Sequence, residues 1–199
     1  MKIFAFNDIH GNEKLWQEVT EKRITKEKPD IIVCAGDFTI FENRIKWWIN
    51  EFENLNAKFL LIHGNHESAG NVRKLCEGTK NLVFLHEKTY VQDNCIFMGY
   101  GGGGFAVVDK EFSRASKKFV EKMNSFKKTV LIVHPPPYGT ELDRIGDRHS
   151  GNKSYREFVD SAQPDLVLCG HFHENFRKDD KIGKTRIINA GPEGMTILL

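Results

Sequence analysis

Five short apolar runs punctuate this chain, and each ends on residues able to bind a metal ion. Residues 3–6 lead into Asn7-Asp8-Ile9-His10, residues 31–35 into Gly36-Asp37, and residues 59–62 into His63-Gly64-Asn65-His66-Glu67. Residues 130–133 lead into His134, and residues 166–169 into Gly170-His171-Phe172-His173. Continuous apolar runs of this length read as strands buried on both faces, the pattern of a sheet covered by other layers. Sites in such sheets gather beyond the carboxyl ends of the strands. Two Asp, one Asn and several His would then meet along one edge, a set too rich in N and O ligands for a single ion.

Between the runs lie helical patterns. Residues 13–27 are charged, with a sparse stripe of Leu15, Val19 and Ile24. Ile45, Trp48, Ile49, Phe52 and Leu55 follow helical spacing, as do Phe112, Ala115, Phe119, Met123 and Phe126, and then Tyr155, Phe158, Val159 and Ala162. The order up to residue 63 is β-α-β-α-β, which implies parallel strands with right-handed crossovers. Two or three strands are expected over residues 82–100. A hairpin is expected after residue 174, with its turn at 181–184, followed by a last strand over 195–199. Trp47 and Trp48 cannot both face one core. The chain of 199 residues, 40% apolar and 28% charged, is read as a single α/β domain spanning 1–199. A two-sheet sandwich flanked by helices accommodates both halves.

The remaining totals narrow the classes of function. A net charge of +2 gives no strong nucleic-acid signal. The apolar stretch at residues 3–6 is too short for a signal peptide, and no run approaches the length needed to span a bilayer. The four cysteines form no CxxC pair, and Cys34 and Cys169 sit inside strand runs as small hydrophobes. A cytoplasmic protein without membrane contact is the expectation.

The donor types set the metal. Asp offers an anionic oxygen able to bridge two cations, and imidazole favours transition metals over Mg or Ca. In Asp8-Ile9-His10 and His171-Phe172-His173, residues i and i+2 point the same way while the chain is extended. Two metals so placed can clamp a phosphoryl group and activate water.

In this order, Asp8-x-His10, Gly36-Asp37, Gly64-Asn65-His66, His134 and Gly170-His171-x-His173 resemble the motifs of the calcineurin-like metallophosphoesterase superfamily. The match runs from Asp8 to His173. It implies a four-layer α/β/β/α sandwich of two mixed sheets flanked by helices, and a dinuclear hydrolase with two divalent transition-metal ions (Mn, Fe, Zn or Ni). By position, Asp8, His10, Asp37 and His173 would hold one metal. Asp37 would bridge to a second, held also by Asn65, His134 and His171. A metal-bridging hydroxide would attack phosphorus in line, and His66 would act over the leaving group as general acid or charge stabiliser.

The second block departs from the GDxVDRG of the superfamily's protein phosphatases. It reads Gly36-Asp37-Phe38-Thr39-Ile40, without the second acid or the phosphate-binding Arg, so it leaves open what orients His66. The Gly-Asn-His-Glu block and the short chain look more like the compact prokaryotic phosphodiesterase branch. A small phosphodiester is the expected substrate, with a phosphomonoesterase or a non-catalytic partner-binding scaffold as alternatives. Asn65, Arg144, Arg148 and His149 are the candidates for binding substrate phosphate, the last three in the long loop after Pro135-Pro136-Pro137. Gly101-Gly102-Gly103-Gly104 reads as a plain linker or, alternatively, a flexible lip of the cleft, and His63 and His86 as structural.

Overall fold

The apolar runs form two sheets packed face to face. In the computed structural model, which describes residues 1–199, the first sheet has the strand order β13-β1-β2-β3-β4. Its members are β1 (Lys2–Phe6), β2 (Ile31–Cys34), β3 (Phe59–Leu61), β4 (Leu82–Phe84) and β13 (Met195–Leu198). The second has the order β11-β12-β10-β7-β6-β5. It comprises β5 (Lys88–Gln92), β6 (Cys95–Tyr100), β7 (Lys128–Val133), β10 (Leu166–Cys169), β11 (Lys178–Ile182) and β12 (Thr185–Asn189). A small hairpin, β8 (Arg144–Ile145) with β9 (Arg148–His149), stands apart. Both large sheets are mixed: β1 to β4 run parallel, and β13 closes antiparallel on β1.

The period of two along each strand explains why the runs look continuously apolar. Ile3, Ala5, Ile31, Val33 and Leu60 face the second sheet and meet Phe97, Val130, Ile132, Leu166 and Leu168. Their neighbours Phe4, Phe6, Ile32, Cys34, Phe59 and Leu61 face the other way, onto helices. In the second sheet Ile96, Met98, Leu131, Val133 and Val167 do the same. Both pleats of each central strand are therefore buried, and no polar face is left to alternate.

Helices cover the two outer faces. Over the first sheet lie α1 (Glu13–Val19), continued by a π-helical turn (Thr20–Ile24) into α2 (Thr25–Glu27), then α3 (Ile45–Glu53) and α4 (Ala69–Cys76). Over the second lie α5 (Lys110–Met123) and α6 (Lys153–Ala162). Side-chain caps start three of them: Asn12, Asp109 and Asn152 each accept a hydrogen bond from a backbone N–H three residues on. The stripe of α3 buries Ile45, Trp48, Ile49 and Phe52. Trp47 lies only partly buried, under the Arg44 guanidinium at 4.8 Å from its ring. The four layers are thus helix, sheet, sheet, helix, as expected, and no helix is long and apolar enough to cross a membrane.

Three elements differ from the sequence reading, one of them the β8–β9 hairpin, which forms within the segment read as a long loop. Helix α4 is absent from that reading, because this helix buries only Val72 and opens on Ala69-Gly70, too little stripe to register. The final hairpin turns one residue later than expected, at Gly183 with φ +58°, since Ile182 still pairs with Thr185 and is buried.

Phe52 is the hub of the first core, stacked on Phe59 at 4.6 Å and edge-on to Phe6, Trp16 and Phe38. Phe52→Ala is expected to lower the unfolding free energy by about 3–5 kcal/mol in urea titrations. A loss under about 1 kcal/mol would contradict this packing.

Candidate metal centre

The carboxyl ends of β1, β2 and β3 from one sheet and of β7 and β10 from the other open onto the same edge. The loops there are tied to each other before any side chain is considered. Asp8 N–H donates to Gly36 O, His10 N–H to Asp37 O, and Gly170 N–H to His134 O. Asn7 joins the sheets, donating to Asn189 Oδ1 and accepting from Gly191 N–H.

Asp8, His10, Asp37 and His171 all adopt left-handed backbone, with φ between +46° and +72°. The expectation that extended i, i+2 alternation aims Asp8 with His10, and His171 with His173, is therefore corrected. Each pair converges through a left-handed turn, and His173 opens a 3₁₀ turn (His173–Asn175). Such backbone is uncommon outside Gly, Asn and Asp, and it clusters where function demands it.

Both buried carboxylates are divided in the same way. One oxygen is fixed by neighbouring donors: Asp8 Oδ2 accepts from His171 N–H at 2.8 Å and from Asn7 Nδ2, and Asp37 Oδ1 accepts from His66 N–H at 2.9 Å. The other oxygen faces the imidazoles. Asp8 Oδ1 lies 3.7 Å from His10 Nε2 and 3.6 Å from His173 Nε2, with no hydrogen-bond partner of its own. Asp37 Oδ2 lies 3.2 Å from His134 Nε2 and 3.9 Å from both His10 Nε2 and His66 Nε2. His134 Nδ1 donates to Ala35 O at 2.8 Å, which leaves its Nε2 aimed at Asp37 and at Asn65 Oδ1, 3.1 Å away. A Cβ on Gly64 would run into the Asp37 carboxylate, so this close approach requires glycine.

The electrostatics of the site suit a cation. Burial opposes ionisation of Asp8, yet His10 and His173 hold it well below the usual carboxylate range. Burial likewise opposes Asp37, and His134 outweighs it. His134, despite burial, is lifted to about 9 by Asp37. His171 is driven down to about 4 by burial and by His134, and its Nε2 is buried without a partner. A proton on His134 occupies ground where a cation would displace it.

Three groups are spaced to hold ions: Asp8, His10 and His173; His10, Asp37 and His66; Asp37, His134 and His171. The orphaned Asp8 Oδ1 and His171 Nε2, with a mixed N/O donor set, fit divalent transition metals. The sequence reading keeps His66 out of the ligand set, whereas His66 stands close enough to Asp37 and His10 to join one group.

An open cleft of about 290 Å³ lies over these atoms. Its polar wall is the histidine set with Asp37, Asn65 and Glu174, and its apolar wall is Phe105, Ile145 and Phe172. No Lys or Arg lines it. Of the residues expected to bind phosphate, Asn65 is in the wall. Arg144 pairs with Glu141, Arg148 is exposed on β9, and His149 donates to the buried Asp143 at 2.6 Å. Ile145, between the two arginines, is the hairpin residue that reaches the cleft. The four glycines are not a plain linker: a Cβ on Gly101 would run into the His63 ring, and the residue after Gly104, Phe105, sets its ring 4.5 Å from that of His171.

Glu67 is a site residue that the sequence reading passed over. It is buried and accepts from Asp37 N–H, Gly64 N–H, Thr39 N–H and Thr39 Oγ1, so one carboxylate sets the loops bearing Asp37 and Asn65. Burial and the nearby Asp37 charge raise its pKa, and a lone Glu after Asn-His gives no periodic signal. Glu67→Gln points an amide N–H₂ at those donors. It is expected to cost about 2 kcal/mol of stability and to weaken metal affinity about 10–100-fold, read by denaturant titration and atomic absorption. Wild-type values of both would remove this role.

The comparisons agree with the geometry. The family model for calcineurin-like phosphoesterase matches residues 1–175. An uncharacterized protein of Methanocaldococcus jannaschii is 29% identical over 97% of this chain and 89% of its own length. A probable glycerophosphodiester phosphodiesterase of Arcobacter nitrofigilis is 23% identical over 85% of this chain and 66% of its own. Among solved structures, a phosphopantetheinyl hydrolase of Mycobacterium tuberculosis superposes with a TM-score of 0.72 at 13% identity, covering 96% of this chain and 88% of that one. A dimetal phosphatase of Danio rerio does so with a TM-score of 0.61 at 10% identity, covering 95% and 86%. The chain belongs to the calcineurin-like phosphoesterase family, whose members work with two divalent metals.

Proposed function

We propose that the chain hydrolyses small phosphodiesters, with Asp8, His10, Asp37 and His173 holding one cation and Asp37, Asn65, His134 and His171 the other. The observation that carries this reading is the shared Asp37. Its Oδ1 is locked by a backbone N–H while its Oδ2 faces His134, His10 and His66. When bound, the pair of cations supplies Lewis acidity and a water of lowered pKa.

The protein's own residues do the rest. Asn65 lines the cleft and can orient a phosphoryl oxygen. His66 is placed to protonate the departing oxygen. Its backbone N–H is tied to Asp37, and the Phe41 ring covers it at a centroid distance of 4.5 Å. His66 Nδ1 has no hydrogen-bond partner, so the Phe41 ring is the contact that positions the imidazole in place of the absent second acid.

The apolar wall of the cleft favours a diester. A diester carries one charge and a second organic arm, for which Phe105 and Ile145 offer apolar surface.

Two experiments test this. With Mn²⁺, bis-p-nitrophenyl phosphate is expected to be cleaved and p-nitrophenyl phosphate to be cleaved more slowly, and EDTA to stop both. Preference for the monoester would overturn the diester reading. His66→Gln is expected to keep its metal content while kcat falls about 100-fold or more for a poor leaving group, and less for p-nitrophenolate, which needs little protonation. Loss of metal in that variant would make His66 a ligand instead.

A further inference from the structure

The two most exposed phenylalanines of the chain each stand against a histidine of the metal centre. Phe105 is 70% exposed, lines the cleft, and sets its ring across His171 at 4.5 Å and 64°. Phe41 is 78% exposed and lies over His66 at 4.5 Å and 36°, so one of its faces is covered and the other meets water. Exposed aromatic rings are ordinary when scattered. Phe105 is different, because it forms part of the wall of the cleft beside the metal centre.

Each ring is carried by a segment with its own local anchors. The segment bearing Phe41 has left-handed backbone at Phe41 (φ +47°), Glu42 (φ +63°) and Arg44 (φ +54°). Such backbone is strained for a bulky residue like Phe41 and persists only where the surroundings over-determine it. Those surroundings are the Glu42 carboxylate, which accepts from Ser68 N–H, Ser68 Oγ and Asn71 Nδ2.

Phe105 follows the glycine run. A Cβ on Gly101 would run into the His63 ring, so the backbone can lie there only as glycine. Gly101 N–H donates to His86 Nδ1 and Gly102 N–H to His63 O. Beyond the ring, Asn152 Nδ2 donates to Ala106 O and Lys153 N–H to Val107 O. The lip is anchored on both sides of Phe105, and the side chain it presents to solvent is an aromatic one.

We infer that the cleft recognises a planar aromatic group on one arm of its phosphodiester, with Phe105 as the specificity-determining residue. This inference rests on the diester reading above. Aromatic rings stack face to face or edge to face with little loss of side-chain freedom, and such contacts tolerate different rings. No Lys or Arg competes for the arm with a charged group. An aryl ester and a nucleoside ester share this chemistry.

The test varies the arm while holding the leaving group constant. kcat/KM is measured with Mn²⁺ for p-nitrophenyl methyl phosphate, p-nitrophenyl phenyl phosphate and thymidine 5′-(p-nitrophenyl phosphate). Each value is divided by that diester's rate with free hydroxide. The aromatic arms are expected to exceed methyl by about tenfold, through KM more than kcat. Phe105→Ala should bring the ratio to about one, and Phe105→Trp should keep it. Calorimetry gives a readout without turnover: phenylphosphonate should bind about tenfold tighter than methylphosphonate, and Phe105→Ala should erase the difference.

A ratio near one in the wild type, or equal loss for all arms in Phe105→Ala, would overturn the inference alone. Turnover of no diester in metal-loaded protein would remove the diester reading and this inference with it. A thymidine ratio well above the phenyl ratio would support a nucleobase as the ring, and the reverse would support a plain aryl arm.

Discussion

Two carboxylates buried at the seam between two sheets govern this molecule. Ions there are poorly solvated, so each needs partners that compensate its charge. Backbone N–H groups satisfy one oxygen of Asp8 and one of Asp37, and the other two oxygens are left toward imidazoles drawn from both sheets. Protonated histidine is one response, visible in the raised pKa of His134. A divalent cation is a stronger one. Glycine at position 64 and the buried Glu67 beneath the loops follow from the same demand, because the seam must be narrow enough for the two sheets' residues to meet.

The layered fold was legible in the sequence for a physical reason. Strands buried on both pleats cannot hide their apolar composition, and α3 and α6 carry stripes that a single face explains. The residues that gather at the candidate metal centre were legible because chemistry restricts such donors to a few residue types placed after such strands. Helix α4 was not, since one buried valine leaves no periodic trace.

The manner of convergence was also hidden. Asp8-x-His10 suits an extended chain on paper, yet it works here through left-handed turns set by hydrogen bonds between distant loops. The glycine run looked like a linker because its purpose depends on His63 and His171, far away in sequence. The arginines of the long loop looked suited to phosphate. Their neighbour Ile145 reaches the cleft, a choice that only hairpin register decides.

The closing of the first sheet by β13 bears on how the protein matures. Met195–Leu198 pairs with the first strand, so one neighbour of β1 is supplied by residues almost two hundred positions away. Contacts of such separation carry a large loop-closure entropy and slow folding. The helices and the β2–β3–β4 succession rest on contacts of short separation, and β1 meets β2 at a similarly short range, whereas its other edge closes only when β13 arrives from far along the chain. Closing that edge would then be a late event in folding, after the strand that leads into Asp8 and His10 is already seated on β2.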